Sequence, residues 1–157
     1  NMADDAIATI QVQGLPDEIQ RVFTSTMTVS PFPEGGSDDS SQKWYYKLSS
    51  VDTGDDDLMA GSFLTRNSLN AETGLTAIHA NDLVMFLFIK NVNSSAGSIY
   101  VTIDGSTPSS TDTASIHIGQ NEFFCARLPK TIVGNIHAVS SSGTVDCIVA
   151  ALLDDVA

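Results

Sequence analysis

The chain is predicted to be all-β: an antiparallel β-sandwich, Ig-like or jelly-roll, of about nine or ten short strands with a possible N-terminal arm. Three observations predict it. β-Branched and aromatic residues gather in short runs, and clusters of Gly, Pro, Ser, Asp and Asn separate those runs. No segment of useful length repeats its apolar residues with the 3.6 period of a helix.

The first run, residues 6–12, reads Ala-Ile-Ala-Thr-Ile-Gln-Val and closes at Gly14 and Pro16. A Thr-rich stretch at 19–29 follows, then a loop at 30–41 crowded with Pro, Gly, Ser and Asp. That loop divides an N-terminal segment, 1–29, from a body at 43–157. The segment is expected to pack on the body or on a larger assembly. In the body, 43–48 is aromatic and strand-like, 52–57 is an acidic loop, and 58–66 is strand-like again. Residues 67–77 read as irregular, with one helical turn around 68–72. The run 82–92 is continuously apolar, the pattern of a strand buried on both faces. Further strands are expected at 98–104, 114–118, 122–128, 134–139 and 144–152. Turns fall at 105–112, 119–121, Pro129-Lys130 and 140–143.

With 157 residues, 42% of them apolar and 17% charged, the chain can bury one full core. Nineteen acidic against seven basic residues leave a formal charge of −12, with Lys and Arg spread singly. Such a surface repels phosphate backbones, so nucleic acid is not an expected partner. The longest apolar run, 83–89, falls well short of a membrane span, and no membrane partner is expected. Residues 1–5 lack the basic and apolar stretch of a signal peptide, so synthesis in a cytoplasm is expected. Cys125 and Cys147 each lie in an apolar run and are expected to be reduced and buried.

Candidate chemistry is thin. Asp52-Thr53-Gly54 spells the aspartic-protease triplet, but Asp55, Asp56 and Asp57 would flood a shared-proton site with negative charge. The same loop lacks the spacing of an EF-hand and reads as a solvated surface loop, with a looser calcium site left open. His79, His117 and His137 each follow an Ile and sit in no metal-ligand spacing; exposed strand positions are expected. No Gly-x-Ser-x-Gly elbow and no phosphate-cradling Gly loop is present. The expectation is a non-enzyme with no catalytic residues, no metal and no cofactor. An interface or ligand face is expected among the aromatic residues Trp44, Tyr45, Tyr46, Tyr100, Phe123 and Phe124, with Trp44 and Tyr46 on one side of their strand and Tyr45 on the other.

The segments Phe88-Ile89-Lys90-Asn91, Ile99-Tyr100-Val101-Thr102-Ile103-Asp104-Gly105 and Ile116-His117-Ile118-Gly119-Gln120-Asn121-Glu122, with the Ser-Gly-Thr-Val start of the last strand, carry a resemblance. In that order they resemble the small β-sandwich structural proteins of tailed-bacteriophage virions. The resemblance covers about half the chain. It implies a virion component on the capsid exterior, most simply a decoration (cement) protein partnered by the major capsid protein and assembled as a homotrimer. A host-facing tail or spike module that binds surface glycan is the alternative, with 44–46 and the 104–112 loop as its contact surface.

Overall fold

The computed structural model describes residues 6–14, 21–29, 42–60, 62–66 and 72–154. It divides into two compact units, Asn1–Gly35 and Gly36–Ala157. In the first, β1 (Ala6–Gly14) and β2 (Arg21–Val29) form an antiparallel hairpin in continuous register from Ala6↔Val29 to Gly14↔Arg21.

The second unit is a two-sheet sandwich. Its strands are β3 (Gln42–Val51), β4 (Asp56–Asp57), β5 (Ser62–Arg66), β6 (Glu72–Ala77), β7 (Leu83–Asn91), β8 (Ile99–Thr102), β9 (Ile116–Ile118), β10 (Phe123–Ile132), β11 (His137–Ser140) and β12 (Val145–Asp154). One four-stranded sheet has the order β10-β7-β12-β3 and the other β4-β11-β8-β9, while β5 and β6 pair as a separate hairpin. With that hairpin set aside, β3 pairs with β12, β4 with β11, β7 with β10 and β8 with β9, all antiparallel. Pairing first with last and working inward is a long ribbon rolled once, the jelly-roll topology. The expected choice between Ig-like and jelly-roll is thus resolved toward the second.

Strand alternation fills the space between the sheets. Leu87, Ile89, Val149, Ala151 and Cys147 point inward from the long sheet, and Ile99, Val101, Ile118 and Ala138 from the short one. Most are fully buried, each contributing roughly 1.5–3 kcal/mol for the larger side chains. Asn91 is one of the buried polar residues, with no exposed surface. Its amide donates to the carbonyls of Gly97 (2.9 Å) and Ile118 (3.2 Å), and its Oδ1 accepts from Asn93 N–H (3.0 Å). It therefore ties the end of β7 to β9, across the two sheets. Gly105 has a φ of +83° and donates to the Asn135 carbonyl, so the turn after β8 requires a residue at ease in the left-handed region.

Four expectations are corrected. Pro129 does not end a strand: β10 runs through it to Ile132, because it is an edge strand whose register shifts between Leu128 and Ile132. Residues 72–77 are strand β6, paired with β5, although Gly74 hides the pattern locally; 68–71 lie outside the described residues. Residues 133–135 form a 3-10 turn ahead of β11 rather than its first residues. His79 lies in the loop after β6, not on a strand. Both cysteines are free, as expected, but only Cys147 is fully buried and Cys125 is half-buried. No helix among the described residues is long and apolar enough to cross a membrane.

Candidate docking face

The register of the long sheet lines up two rows of side chains on its outer surface. One runs Phe123, Lys90, Ile148, Leu48 across β10, β7, β12 and β3; the next runs Cys125, Phe88, Ala150, Tyr46. Directly opposed residues share a face, so these eight form one contiguous patch. Tyr46 is 69% exposed, Leu48 61% and Phe123 56%. The remaining apolar members are half-buried, and Phe88 stacks on Phe123 with ring centroids 5.9 Å apart. Lys90 stands exposed among them, and Asp146 borders the patch, held by the Ser50 hydroxyl at 2.6 Å.

This surface corrects the reading of 82–92. Leu87 and Ile89 are fully buried, but Phe88 is half-buried and Lys90 exposed, so β7 is open on its outer face from Phe88 to Lys90, whereas Leu152, opposite Phe86 in the next outer row, is buried. Its continuous apolar run reflects an outer face that the body leaves open there.

The opposite surface is built differently. On the short sheet, His117, Tyr100 and Val139 form one outward row, and Thr102, His137 and Asp57 the next. The 104–112 loop folds over them. Thr107 donates to Asp55 Oδ2 (2.8 Å), the Thr102 hydroxyl donates to the Ser106 carbonyl, and Pro108 is buried. Asp55 Oδ1 lies 3.1 Å from His137 Nδ1, which anchors the 52–55 turn to β11; Asp56 and Asp57, expected in a loop, form strand β4 against β11. The Asp52 carboxylate accepts from Gly54 N–H at 2.6 Å, capping its own turn, so the Asp-Thr-Gly triplet is a local turn here. In the 104–112 loop, the Ser106 hydroxyl and N–H hold the Asp104 carboxyl below the usual carboxylate range. A cavity of about 280 Å³ lies between the two loops, with Tyr100, Asp55 and Thr107 in its wall.

The six aromatic residues among which an interface or ligand face was expected are dispersed. Tyr46 and Phe123 share the long sheet's outer surface. Tyr45 is fully buried, correcting its place in that group: burial pushes its phenol up, opposed by hydrogen bonding with Ser49 and with the Ala60 backbone. Phe124 packs against the core, and Tyr100 lies on the other sheet, its ring 5.3 Å from that of His117. Trp44 belongs to β3, and its side chain lies outside the described residues. The 104–112 loop therefore does not join Tyr46 in a single contact surface. Leu48, Phe88, Lys90, Ile148 and Ala150 were missed; the signal for them was apolar residues at both phases of the alternation in β7 and β12.

Among the described residues, no group of three or more His, Cys, Asp or Glu side chains is placed to hold a metal ion. The chain matches no protein-family model, no curated protein and no solved structure.

Proposed function

We propose that the chain is a non-enzymatic structural protein of a tailed-bacteriophage virion, a decoration protein that binds the outer surface of the head and contacts the major capsid protein in a homotrimeric assembly. The single observation that supports this reading best is the open outer face of the long sheet. Scattered exposed apolar residues are ordinary, but two aligned rows across four strands form the kind of continuous patch that marks an interaction surface. The charge distribution agrees. Lys43, Lys47, Lys90, Arg127 and Lys130, five of the seven basic residues, fall on strands of this sheet. Asp52, Asp55, Asp56, Asp57, Asp104 and Asp112 belong to the short sheet and its loops. Of the basic residues, Lys90 lies within the patch and Lys47 shares the strand phase of the buried Tyr45, so the patch suits a mainly apolar partner and the opposite side suits water.

The test is binding of the purified protein to expanded phage heads prepared without it, read as stoichiometry and affinity. Leu48→Asp should weaken binding by about 100-fold, because it forces an unpaired charge into the contact. Full-affinity binding by that variant would overturn the assignment of the face. A second reading, a glycan-binding spike module, is favoured by the cavity beside Tyr100 and Asp55. Glycan-array binding lost in Tyr100→Ala would support it in place of the first.

A further inference from the structure

Only one protonation state of His137 satisfies the groups around its ring. Both ring nitrogens face oxygen atoms. Nδ1 lies 3.1 Å from Asp55 Oδ1, and Nε2 lies 3.2 Å from the Gly134 carbonyl, with Asp57 Oδ1 at 4.0 Å. Ionised carboxylates and peptide carbonyls accept and do not donate, so both nitrogens must donate, which an imidazole does only as imidazolium. His117 supplies the contrast. Its Nε2 meets the Ser98 hydroxyl at 2.9 Å, a group that donates or accepts as the ring requires. The other charged groups near His137 are turned to partners of their own. Asp52 accepts from Gly54 N–H and Asp104 from Ser106, while Lys47 of β3 donates to the Ala60 carbonyl. On β4, Asp56 opposes Ala138, and on β8 the residue opposite His137 is the uncharged Thr102. Among the described residues, the ion pairs of Asp55 and Asp57 are both with His137.

We infer that His137 and Asp55 form a proton-dependent latch, which holds the 52–55 turn and the 104–112 loop onto the short sheet. Asp55 is the shared link. Its Oδ1 meets the ring, and its Oδ2 accepts from the Thr107 hydroxyl at 2.8 Å, so the contacts run from β11 through the turn to the covering loop. With an imidazolium, both nitrogens donate and opposite charges meet. Loss of the proton removes the charge and one donor together. Whichever nitrogen keeps its hydrogen, the other turns a lone pair toward an oxygen, and the contact is repelled. The latch is therefore complete in acid and weakens as pH rises through the range, about pH 6.5, where imidazoles ordinarily lose their proton. Asp55, Thr107 and Tyr100 wall the cavity of about 280 Å³ between turn and loop, so the same proton governs how far its mouth opens. The latch does not depend on the function proposed above.

The experiment is amide exchange of the full chain by NMR, at about pH 5.5 and about pH 7.5, on either side of the imidazole range. Rates are expressed as protection factors, so that the intrinsic pH dependence of exchange drops out. Two amides report the latch: Ser140 N–H, which donates to the Asp52 carbonyl, and Ser109 N–H, which donates to the Ser115 hydroxyl at 3.0 Å. Both should lose protection by about 5-fold at the higher pH, the effect of about one hydrogen bond, while the amides of β7 hold theirs. Asp55→Asn should abolish the difference between the two pH values. Its amide donates to a neutral Nδ1 while Nε2–H stays on the Gly134 carbonyl, and its oxygen still accepts from Thr107. His137→Phe should lower protection at both pH values, and His117→Gln should leave the fall in place. Equal protection at the two pH values in the unsubstituted chain would overturn the inference. So would a fall that persists in Asp55→Asn or vanishes in His117→Gln. Should His137→Phe fail to fold, Asp55→Asn decides the matter alone.

Discussion

The two sheets of the body share one core and differ on the outside. The long sheet, with three strands of nine or ten residues around β12 and a fourth of ten in β12 itself, leaves its outer rows uncovered. The short sheet, whose strands hold two to four residues, is covered by the chain's own 104–112 loop and bordered by the 52–55 turn. Strand length explains part of the contrast. Short strands hand the chain over to long polar connections, and those connections supply a cover of hydroxyl and carboxylate groups. Long strands joined near their ends leave the Tyr46 and Leu48 rows open, while the next row is closed at Leu152. A sandwich of this kind is sided: one face completed within the chain, the other available to a partner.

The sidedness is open to disruption at several points, the largest expected effect first. Truncating an inner residue of the long sheet should hurt most: Leu87→Ala removes a fully buried side chain and should cost about 3–4 kcal/mol in denaturant unfolding. The adjacent outer residue supplies the contrast. Phe88→Ala, half-buried, should cost about 1 kcal/mol or less, and a cost equal to that of Leu87→Ala would mean the outer face is not open. Asn91→Ala should cost about 2 kcal/mol, because the Gly97 and Ile118 carbonyls lose their donor in a buried setting.

The two cysteines report the same difference chemically. Burial pushes the Cys147 thiol up to about 12, and Asp146 adds to the shift. The folded state thus holds its proton where the unfolded chain, with a thiol near about 8.5, has lost it. This contribution is complete below about pH 8.5 and declines as pH rises toward 12. The buried phenol of Tyr45, also raised, acts in the same direction at higher pH. Cys147→Ala should flatten the alkaline fall of stability without removing it; an unchanged slope would contradict the assignment. With a thiol reagent at neutral pH, Cys125 on the outer face should react while Cys147 waits for unfolding. Smallest of all is the surface pair beneath the covering loop. Asp55→Asn should change stability by no more than about 1 kcal/mol, because His137 and Asp55 are only partly shielded from water.

Much of the fold was legible in the residues. Period-two alternation in Tyr45-Tyr46 assigned opposite faces to the two rings, and they lie on opposite faces. The Gly-rich turns fell where expected, with Gly105 and Gly143 in the left-handed region. Less was legible of the candidate site. The apolar runs in β7 and β12 have residues of the same character at both phases, so no local pattern says which side faces the core. Gly74 and Pro129 argued against strands that exist because a hairpin partner, or an edge position with shifted register, tolerates them.

Strand content, turn positions and an acidic, helix-poor character follow from the residues alone, because backbone propensity and charge are local properties. Which residues meet was decided only by the rolling of the ribbon. It brought Phe123, Lys90, Ile148 and Leu48 into one row from four distant segments. It also laid residues 104–112 over one sheet and left two outer rows of the other open. Exposure belongs to the assembled sheets: a side chain is open or covered according to strands far away in sequence.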